Sequence, residues 1–317
     1  MTETWKDSQT FLYLGTEDYH FMILKNIELL RRVYPDADVV VYDWGDGDGK
    51  RSDTVFPKGV EVIDWAGRVK DTWPLMEIYS EKRRIEIGKT VNSRQPPGLA
   101  RRFNKFCLKR FPNSRIARRT VARGIRYENM LIHKSYNMQD CSRRLAGKPF
   151  FLLDADAFLV DRIDEVFDGD PDVILPMVDP SIHSWEYNFC SGLSTGTMGF
   201  NGSDGARDAF LGEWYAAIAE NDEWLRELAA LNRLIKAKDA SFFDGLGLNT
   251  LTFEGRDVKI RTIENDVYNC YFNVQDTPPD FDRVKILHLS GLVEQKKLFP
   301  KFIADVEEVL EKRLEAM

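Results

Sequence analysis

Phe11-Leu12-Tyr13-Leu14-Gly15-Thr16-Glu17-Asp18-Tyr19 opens the stretch that decides the fold. Four apolar residues in a row, stopped by Gly-Thr-Glu-Asp, predict a short strand buried on both faces. Phe21, Leu24, Ile27, Leu30 and Val33 then recur at helical spacing and stop before Pro35, which predicts a helix. Val39-Val40-Val41, β-branched and unbroken, predicts a second buried strand between Asp38 and Tyr42. Strand, helix and strand form a βαβ unit. Neither strand shows the apolar–polar alternation of a half-solvated sheet. The pattern therefore implies an α/β chain whose mostly parallel sheet is covered by helices on both faces.

The same rhythm continues outward from this unit. Val60 to Ile63 reads as a third strand. From about Leu75 to Gly124 the pattern is helical, broken at Gln95-Pro96-Pro97-Gly98, and interrupts the succession of strands as an insert. Tyr127 to Leu145 predicts one longer helix closed by Gly147-Lys148-Pro149. Pro149-Phe150-Phe151-Leu152-Leu153 follows as the most apolar strand of the chain. Further strands are expected at Asp172 to Pro176, Thr197 to Phe200, Val258 to Ile263 and Val284 to Leu289. Two helices are expected within Ala206 to Ile235 and one from Pro300 to Leu314. No repeat, low-complexity tract or Pro/Gly/Ser linker divides the chain, so the expectation is one domain over 1–317 with a helical insert at about 75–126.

The 317 residues, 43% hydrophobic and 30% charged, make an ordinary globular composition. No apolar run approaches the ~20 residues of a membrane-spanning helix. Met1-Thr2-Glu3-Thr4-Trp5-Lys6-Asp7 lacks the basic and apolar regions of a signal peptide, so a cytoplasmic protein is expected. Cys107, Cys141, Cys190 and Cys270 show no C-x-x-C spacing and read as buried or half-buried free thiols. The formal charge of −7 is uneven: between Lys82 and Arg126 fifteen Lys and Arg stand against the single Glu86, leaving −21 for the remainder. Such an asymmetry calls for a partner of opposite sign.

The chemistry-bearing residues begin where the apolar strand ends, at Leu153-Asp154-Ala155-Asp156. Ligands bind at the carboxyl ends of strands in open α/β sheets. Two carboxylates one residue apart repel each other and call for a hard cation, Mn²⁺ or Mg²⁺, that bridges to phosphates. The alternatives are a strand-ending turn, or a phosphatase of the haloacid-dehalogenase type in which Asp154 attacks phosphorus. That family, however, usually carries the pair near the chain start. Near the other end, Val284-Lys285-Ile286-Leu287-His288-Leu289-Ser290-Gly291 places a histidine at a strand end. An imidazole there is either a third metal ligand or a core histidine bound to a backbone carbonyl.

Four segments, in order, resemble the GT-A glycosyltransferases, in particular glycosyltransferase family 8, the glycogenin and lipopolysaccharide-galactosyltransferase group. Thr16-Glu17-Asp18-Tyr19 resembles the nucleoside-binding start, and Leu153-Asp154-Ala155-Asp156 the L-D-x-D metal motif. Ser194-Thr195-Gly196-Thr197-Met198-Gly199-Phe200 resembles the N-[TA]-G-V-[ML]-x-F strand, and His288-Leu289-Ser290-Gly291 the H-x-x-G motif. The resemblance implies a Rossmann-like nucleotide-diphospho-sugar transferase fold and a metal held by Asp154, Asp156 and His288. It implies transfer, retaining in the family, from a nucleotide-sugar donor such as a UDP-sugar to a glycan or lipid-linked acceptor. The donor would be held by Thr16, Asp18, Tyr19, Asp154, Ala155, Ser194, Gly291, Lys296 and Lys297. Lys134, on the helix before the Asp154 strand, is a candidate to reach a donor phosphate, or is simply solvated. Ser194 stands where the family has Asn, and Glu294 where it has Lys after H-x-x-G, which is why Lys296 and Lys297 enter. The D-Q-D-x-L-N segment is matched to Asp244-Gly245-Leu246-Gly247-Leu248-Asn249, without the middle Gln and second Asp. Asp239 and Asp244, which flank Ser241-Phe242-Phe243, are the expected carboxylates beside the reacting sugar, Asp244 by its position in this motif; either is also read as a helix cap. Trp185 and Tyr187 could stack on a sugar or belong to the core.

The insert contains Gly98-Leu99-Ala100-Arg101-Arg102-Phe103-Asn104-Lys105-Phe106-Cys107-Leu108-Lys109-Arg110-Phe111, a basic amphipathic helix. It suits either an anionic membrane surface, peripherally at its inner face, or packing on the sheet with a solvated basic side. No nucleic-acid-binding motif accompanies the charge, so nucleic acid is not an expected partner.

Overall fold

The computed structural model describes residues 4–47, 49–71, 80–93, 98–178, 192–201, 205–221, 223, 225–272, 279–289 and 295–316. The opening unit forms as expected: strand β1 (Thr10–Gly15), helix α1 (Glu17–Val33) and strand β2 (Asp38–Asp43). Then come β3 (Val60–Asp64) and the short α2 (Ala66–Asp71). The insert supplies α3 (Glu81–Ser93) and α4 (Leu99–Arg110), followed by the long α5 (Arg115–Leu145). Strands β4 (Phe150–Leu153), β5 (Ala157–Leu159), β6 (Val173–Met177) and β7 (Thr197–Phe200) lead to α6 (Ala206–Glu220) and α7 (Arg226–Lys238). The chain closes with β8 (Leu248–Phe253), β9 (Arg256–Glu264), α8 (Asn265–Tyr268), β10 (Cys270–Tyr271), β11 (Ile286–His288) and α9 (Gln295–Ala316).

Eight strands form one sheet in the order β3-β2-β1-β4-β7-β6-β9-β8. β3, β2, β1 and β4 are parallel, β7 runs antiparallel to both β4 and β6, and β9 is parallel to β6 and antiparallel to β8. Alternate residues of each strand enter opposite layers, as the two-residue period requires. Phe11, Tyr13, Val39, Val41, Phe151 and Leu153 pack with α1 and with Phe302, Val306 and Leu310 of α9. Leu12, Leu14, Val40, Tyr42, Phe150 and Leu152 pack with Ile132 and Met138 of α5 and Phe210 and Trp214 of α6. Both faces are buried, which is why these strands read as unbroken apolar runs; each fully buried Leu or Phe contributes roughly 2 kcal/mol by transfer from water.

The helix expected from Tyr127 begins at Arg115 and runs without a break through Gly124. Its first half packs on α3 and α4, where Ile87 meets Ile125 and Val121, and Cys107 and Leu108 meet Ala117 and Val121. A Cβ at Gly88 would lie 2.8 Å from Val121 Cγ2, so α3 and α5 approach as closely as they do because position 88 has no side chain. Cys107, Cys141 and Cys270 are buried free thiols; Cys190 lies outside the described residues.

Candidate metal centre

β4 delivers Asp154 to the carboxyl end of the sheet. The Asp154 N–H donates to the Gly196 carbonyl at 2.9 Å, and the Ala157 N–H returns to the Asp154 carbonyl at 2.9 Å, so Ala155-Asp156 forms a tight reversal into β5. β5 pairs antiparallel with β11, setting His288 opposite Ala157, while β10 pairs with β11 on its other side. The Leu289 N–H donates to the Asp156 carbonyl at 2.8 Å and fixes the register. Two segments far apart in sequence thus bring Asp154, Asp156 and His288 together, with potential ligand atoms all within 4.8 Å of one another. Among the described residues no other set of three His, Cys, Asp or Glu does so.

The hydrogen bonds settle which histidine nitrogen faces the carboxylates. His288 Nδ1 lies 2.9 Å from Asn269 Oδ1. The Asn269 amide donates to Ser194 Oγ and to Asn265 Oδ1, each at 2.9 Å. Its oxygen is therefore the atom presented to the ring, so Nδ1 carries a proton and donates. Nε2 is left as an acceptor 3.1 Å from Asp156 Oδ1, itself an acceptor. Two acceptors at this separation need a cation between them, a proton or a metal ion. Burial opposes an imidazolium here, but the Asp156 carboxylate, by charge and hydrogen bond, and Asp154 outweigh it, so His288 titrates above the usual histidine value. Two carboxylates and one imidazole are a donor set suited to Mn²⁺ or Mg²⁺.

Gly196 makes room for this ring. A Cβ there would sit 2.5 Å from Asn269 Oδ1 and 2.7 Å from His288 Cε1. Tyr271 stacks on the imidazole, ring centroids 4.9 Å apart, and its hydroxyl is 3.0 Å from Ser194 Oγ. Ser194 therefore helps to hold Asn269 and Tyr271 around His288.

Lys134 lies within this site, on α5. Its buried ammonium reaches Asp154 Oδ1 at 2.6 Å. Burial raises the Asp154 carboxyl above its usual range, against the pull of Lys134 and His288 and with the repulsion of Asp156.

A further carboxylate, unforeseen from the sequence, is Glu227 in the first turn of α7. It is buried; Oε1 accepts from the Thr195 hydroxyl at 3.4 Å, and Oε2 has no hydrogen-bond partner among the described residues. Burial raises its pKa, Lys134 opposes that, and Asp154 adds to it. One signal was present in the sequence: Glu227-Leu228-Ala229-Ala230-Leu231-Asn232 keeps an acid at the first position and Leu-Asn at the end of D-Q-D-x-L-N. Asn232 ties α7 to the segment before β7, its Oδ1 accepting from the Leu193 N–H at 2.9 Å.

Other expected residues lie elsewhere. Asp239 caps a 3₁₀ turn, accepting from Ser241 N at 2.9 Å and Ser241 Oγ at 2.7 Å. Asp244 ends that turn, exposed, beside β8. β8 is four strand positions from β4, about 19 Å at ~4.8 Å per strand, so neither acid joins the cluster. Thr16, half-buried Tyr19 and exposed Asp18 occupy the start of α1, at the carboxyl end of β1. Nearby, Asp43 at the end of β2 stands 3.4 Å from His20 Nε2, a buried pair the sequence reading did not single out. The Ala155 carbonyl accepts from Asn26 Nδ2 at 3.1 Å. Gly291, Trp185 and Tyr187 lie outside the described residues, as do the side chains of Lys296 and Lys297 at the start of α9.

No protein-family model matches the chain, and no curated protein matches it. Among solved structures, a glycosyltransferase involved in glycosylation of the major capsid of PBCV-1 is similar with a TM-score of 0.43 at 9% identity, over 92% of this chain and 99% of that one. The glycosyltransferase GlyE of Streptococcus pneumoniae TIGR4 gives 0.45 at 10% identity over 96% of this chain, which spans 63% of the GlyE chain. The galactosyltransferase LgtC, solved with donor and acceptor sugar analogues, gives 0.41 at 10% identity over 96% of each chain. Each likeness, at so low an identity, is one of fold.

Proposed function

We infer that the chain transfers a sugar from a nucleoside-diphosphate-sugar, with a UDP-sugar the first candidate, to a glycan or lipid-linked acceptor. A divalent cation would be held by Asp154, Asp156 and His288. The observation that carries this reading is the approach of Asp156 Oδ1 to the acceptor nitrogen of His288 at 3.1 Å, at the carboxyl end of a central strand. When bound, Mn²⁺ or Mg²⁺ would neutralise charge on the leaving diphosphate as a Lewis acid.

The chain's own residues have separable tasks in this reading. Asn269 keeps the imidazole in the tautomer that offers Nε2. Lys134 supplies fixed positive charge next to Asp154. Glu227 offers a buried acceptor oxygen to a donor hydroxyl, the task first assigned to Asp244 and Asp239. Thr16, Asp18 and Tyr19 contact the nucleoside, Ala155 and Ser194 shape the wall, and Gly291, Lys296 and Lys297 meet the diphosphate. Retention of anomeric configuration, the outcome in family 8, is part of the same proposal.

Thermal shift and nucleoside-diphosphate release, measured over a panel of nucleotide-sugars with and without Mn²⁺, test the reading. A donor that stabilises the chain only with Mn²⁺ and is turned over supports transfer. Binding without release, even with candidate acceptors present, would make the chain a nucleotide-sugar-binding protein. Failure of every donor to bind would overturn both.

A further inference from the structure

We propose that α4, with the start of α5, is a docking surface for anionic phospholipid bilayers. The surface is independent of the metal cluster and rests on three observations. The first is apolar exposure. Leu99, Phe103 and Phe106 follow one another at i, i+4 and i+7 on one line of α4, and are 84%, 54% and 51% exposed. Phe111, just past the helix and 57% exposed, lies edge-on to Phe106 with ring centroids 5.7 Å apart. Single exposed apolar residues are ordinary, but four large ones on one short helix and its end are a patch.

The second observation is that α4 already has a buried side. Leu108 faces away from the stripe and Cys107 lies on the flank opposite the basic residues, and both pack on Ala117 and Val121 of α5. The Phe-rich stripe is therefore an additional face and not the helix's contact with the fold.

The third is charge complementarity. Arg102, Lys105 and Lys109 run at i, i+3 and i+7, the same spacing, in a stripe beside the phenylalanines, and all three are exposed. Arg110 closes the apolar line, and Arg115, Arg118 and Arg119 continue the exposed basic surface onto α5. From Gly98 to Ala122 the sequence contains no acid, within a protein of net charge −7. Leu99, Arg101, Arg102 and Lys105 border one open depression. Adjacent apolar and basic stripes match the layering of an anionic bilayer surface: rings sit at the headgroup–acyl boundary and cations at the phosphates. No described helix is long and apolar enough to cross a membrane, and the attachment proposed is peripheral.

Flotation of the full chain tests this, with vesicles of phosphatidylcholine alone and with rising phosphatidylglycerol, at low and high salt. Binding is expected only to anionic vesicles and is weakened by salt. Each cation near the surface is worth about fivefold in partitioning. Changing Arg102, Lys105 and Lys109 together to Gln therefore lowers binding by about a hundredfold. Phe103→Ser with Phe106→Ser weakens binding at every salt concentration. All five residues are solvent-facing, and unchanged melting and unchanged vesicle-free donor hydrolysis verify that the fold and the metal site are intact. The proposal is overturned by absence of flotation at low salt, or by binding that survives both variants. It is equally overturned if the same residues bind RNA, or hold two copies together, while vesicles are left unbound.

Discussion

Lys134 Nζ lies 2.6 Å from Asp154 Oδ1, with 4% of the lysine side chain and 25% of the aspartate side chain exposed. An ammonium held this close compensates the first carboxylate of a crowded acidic site, and repels any second cation brought to it. Lys134→Met should therefore have two opposite effects. The cation-free protein loses roughly 3 kcal/mol, the low end for breaking a buried ion pair because Asp154 keeps some solvent. The rise in melting temperature on adding Mn²⁺ becomes larger than in the parent protein. A smaller rise in the variant would show that Lys134 assists the metal site.

Asp154→Asn and Asp156→Asn each remove one charge from the donor set. Both variants should fold, lose the Mn²⁺-dependent thermal shift, and turn over the donor at least about a hundredfold more slowly, the scale of a lost electrostatic stabiliser. Mn²⁺-dependent turnover close to the parent rate in either one would remove the metal from the proposed function.

The His288 prediction concerns pH. A metal binds only the neutral imidazole, and the neighbouring carboxylates raise the His288 pKa above its usual ~6.5. Apparent Mn²⁺ affinity, followed by titration calorimetry, should consequently begin to fall above pH ~6.5 as acid is added. In His288→Gln the affinity is weaker throughout and its dependence on pH over this range is flattened. A parent protein whose Mn²⁺ affinity stays constant through the range would show that the ring is not a ligand.

Glu227→Gln keeps the size and the contact with Thr195 while removing the carboxylate. Donor turnover should drop by about tenfold or more with the denaturant midpoint little changed, since a buried acid with an unsatisfied oxygen adds little to stability. Unchanged turnover would reduce Glu227 to a partner of the Thr195 hydroxyl.

Away from the cluster, His133 accepts a hydrogen bond from Trp65 Nε1 at 3.0 Å, and burial holds its pKa at about 4. The unfolded chain takes up a proton near pH 6.5 while the folded one stays neutral, so stability is full above that value and drains away as pH falls toward 4. The loss across this window is ~3 kcal/mol. Urea midpoints measured at several pH values should show it, and His133→Asn, which keeps an acceptor but cannot titrate, should flatten that limb.

Much of this architecture was legible because both sheet faces are covered: β1, β2 and β4 betray themselves as unbroken apolar runs. β8 did not, since an edge strand with a mixed burial pattern carries a weak signal. β5 escaped notice because its three residues follow the two-carboxylate reversal directly. Gly124 read as a stop, yet packing of α5 on α3 carries the helix through it, a tertiary effect overriding propensity. The Asp154–Asp156–His288 grouping was visible through motif order. The acid near Lys134 was not, because a Glu in a first helical turn reads as a partner of the helix dipole and its burial belongs to the folded state. D-Q-D-x-L-N was matched to residues 244–249 by the more literal Asp-to-Asn spacing, and that segment lies at the β8 edge of the sheet, away from the Asp154–Asp156–His288 cluster.

The unbroken α5 has a mechanical meaning. Val121 rests against the basic helix and Lys134 stands at the Asp154–Asp156–His288 cluster, so one rigid strut of about 20 Å, at ~1.5 Å per residue, connects them. Length and azimuth are set together in such a strut. Seven residues added between the two points would move the ends about 10 Å further apart with nearly the same facing, whereas two would swing one end around the axis by about 200°. With the basic face on a bilayer and sugar transfer at the cluster, both as proposed, α5 would act as a ruler: it would fix how far from the lipid headgroups a sugar is joined, and so how long an acceptor must be to reach it.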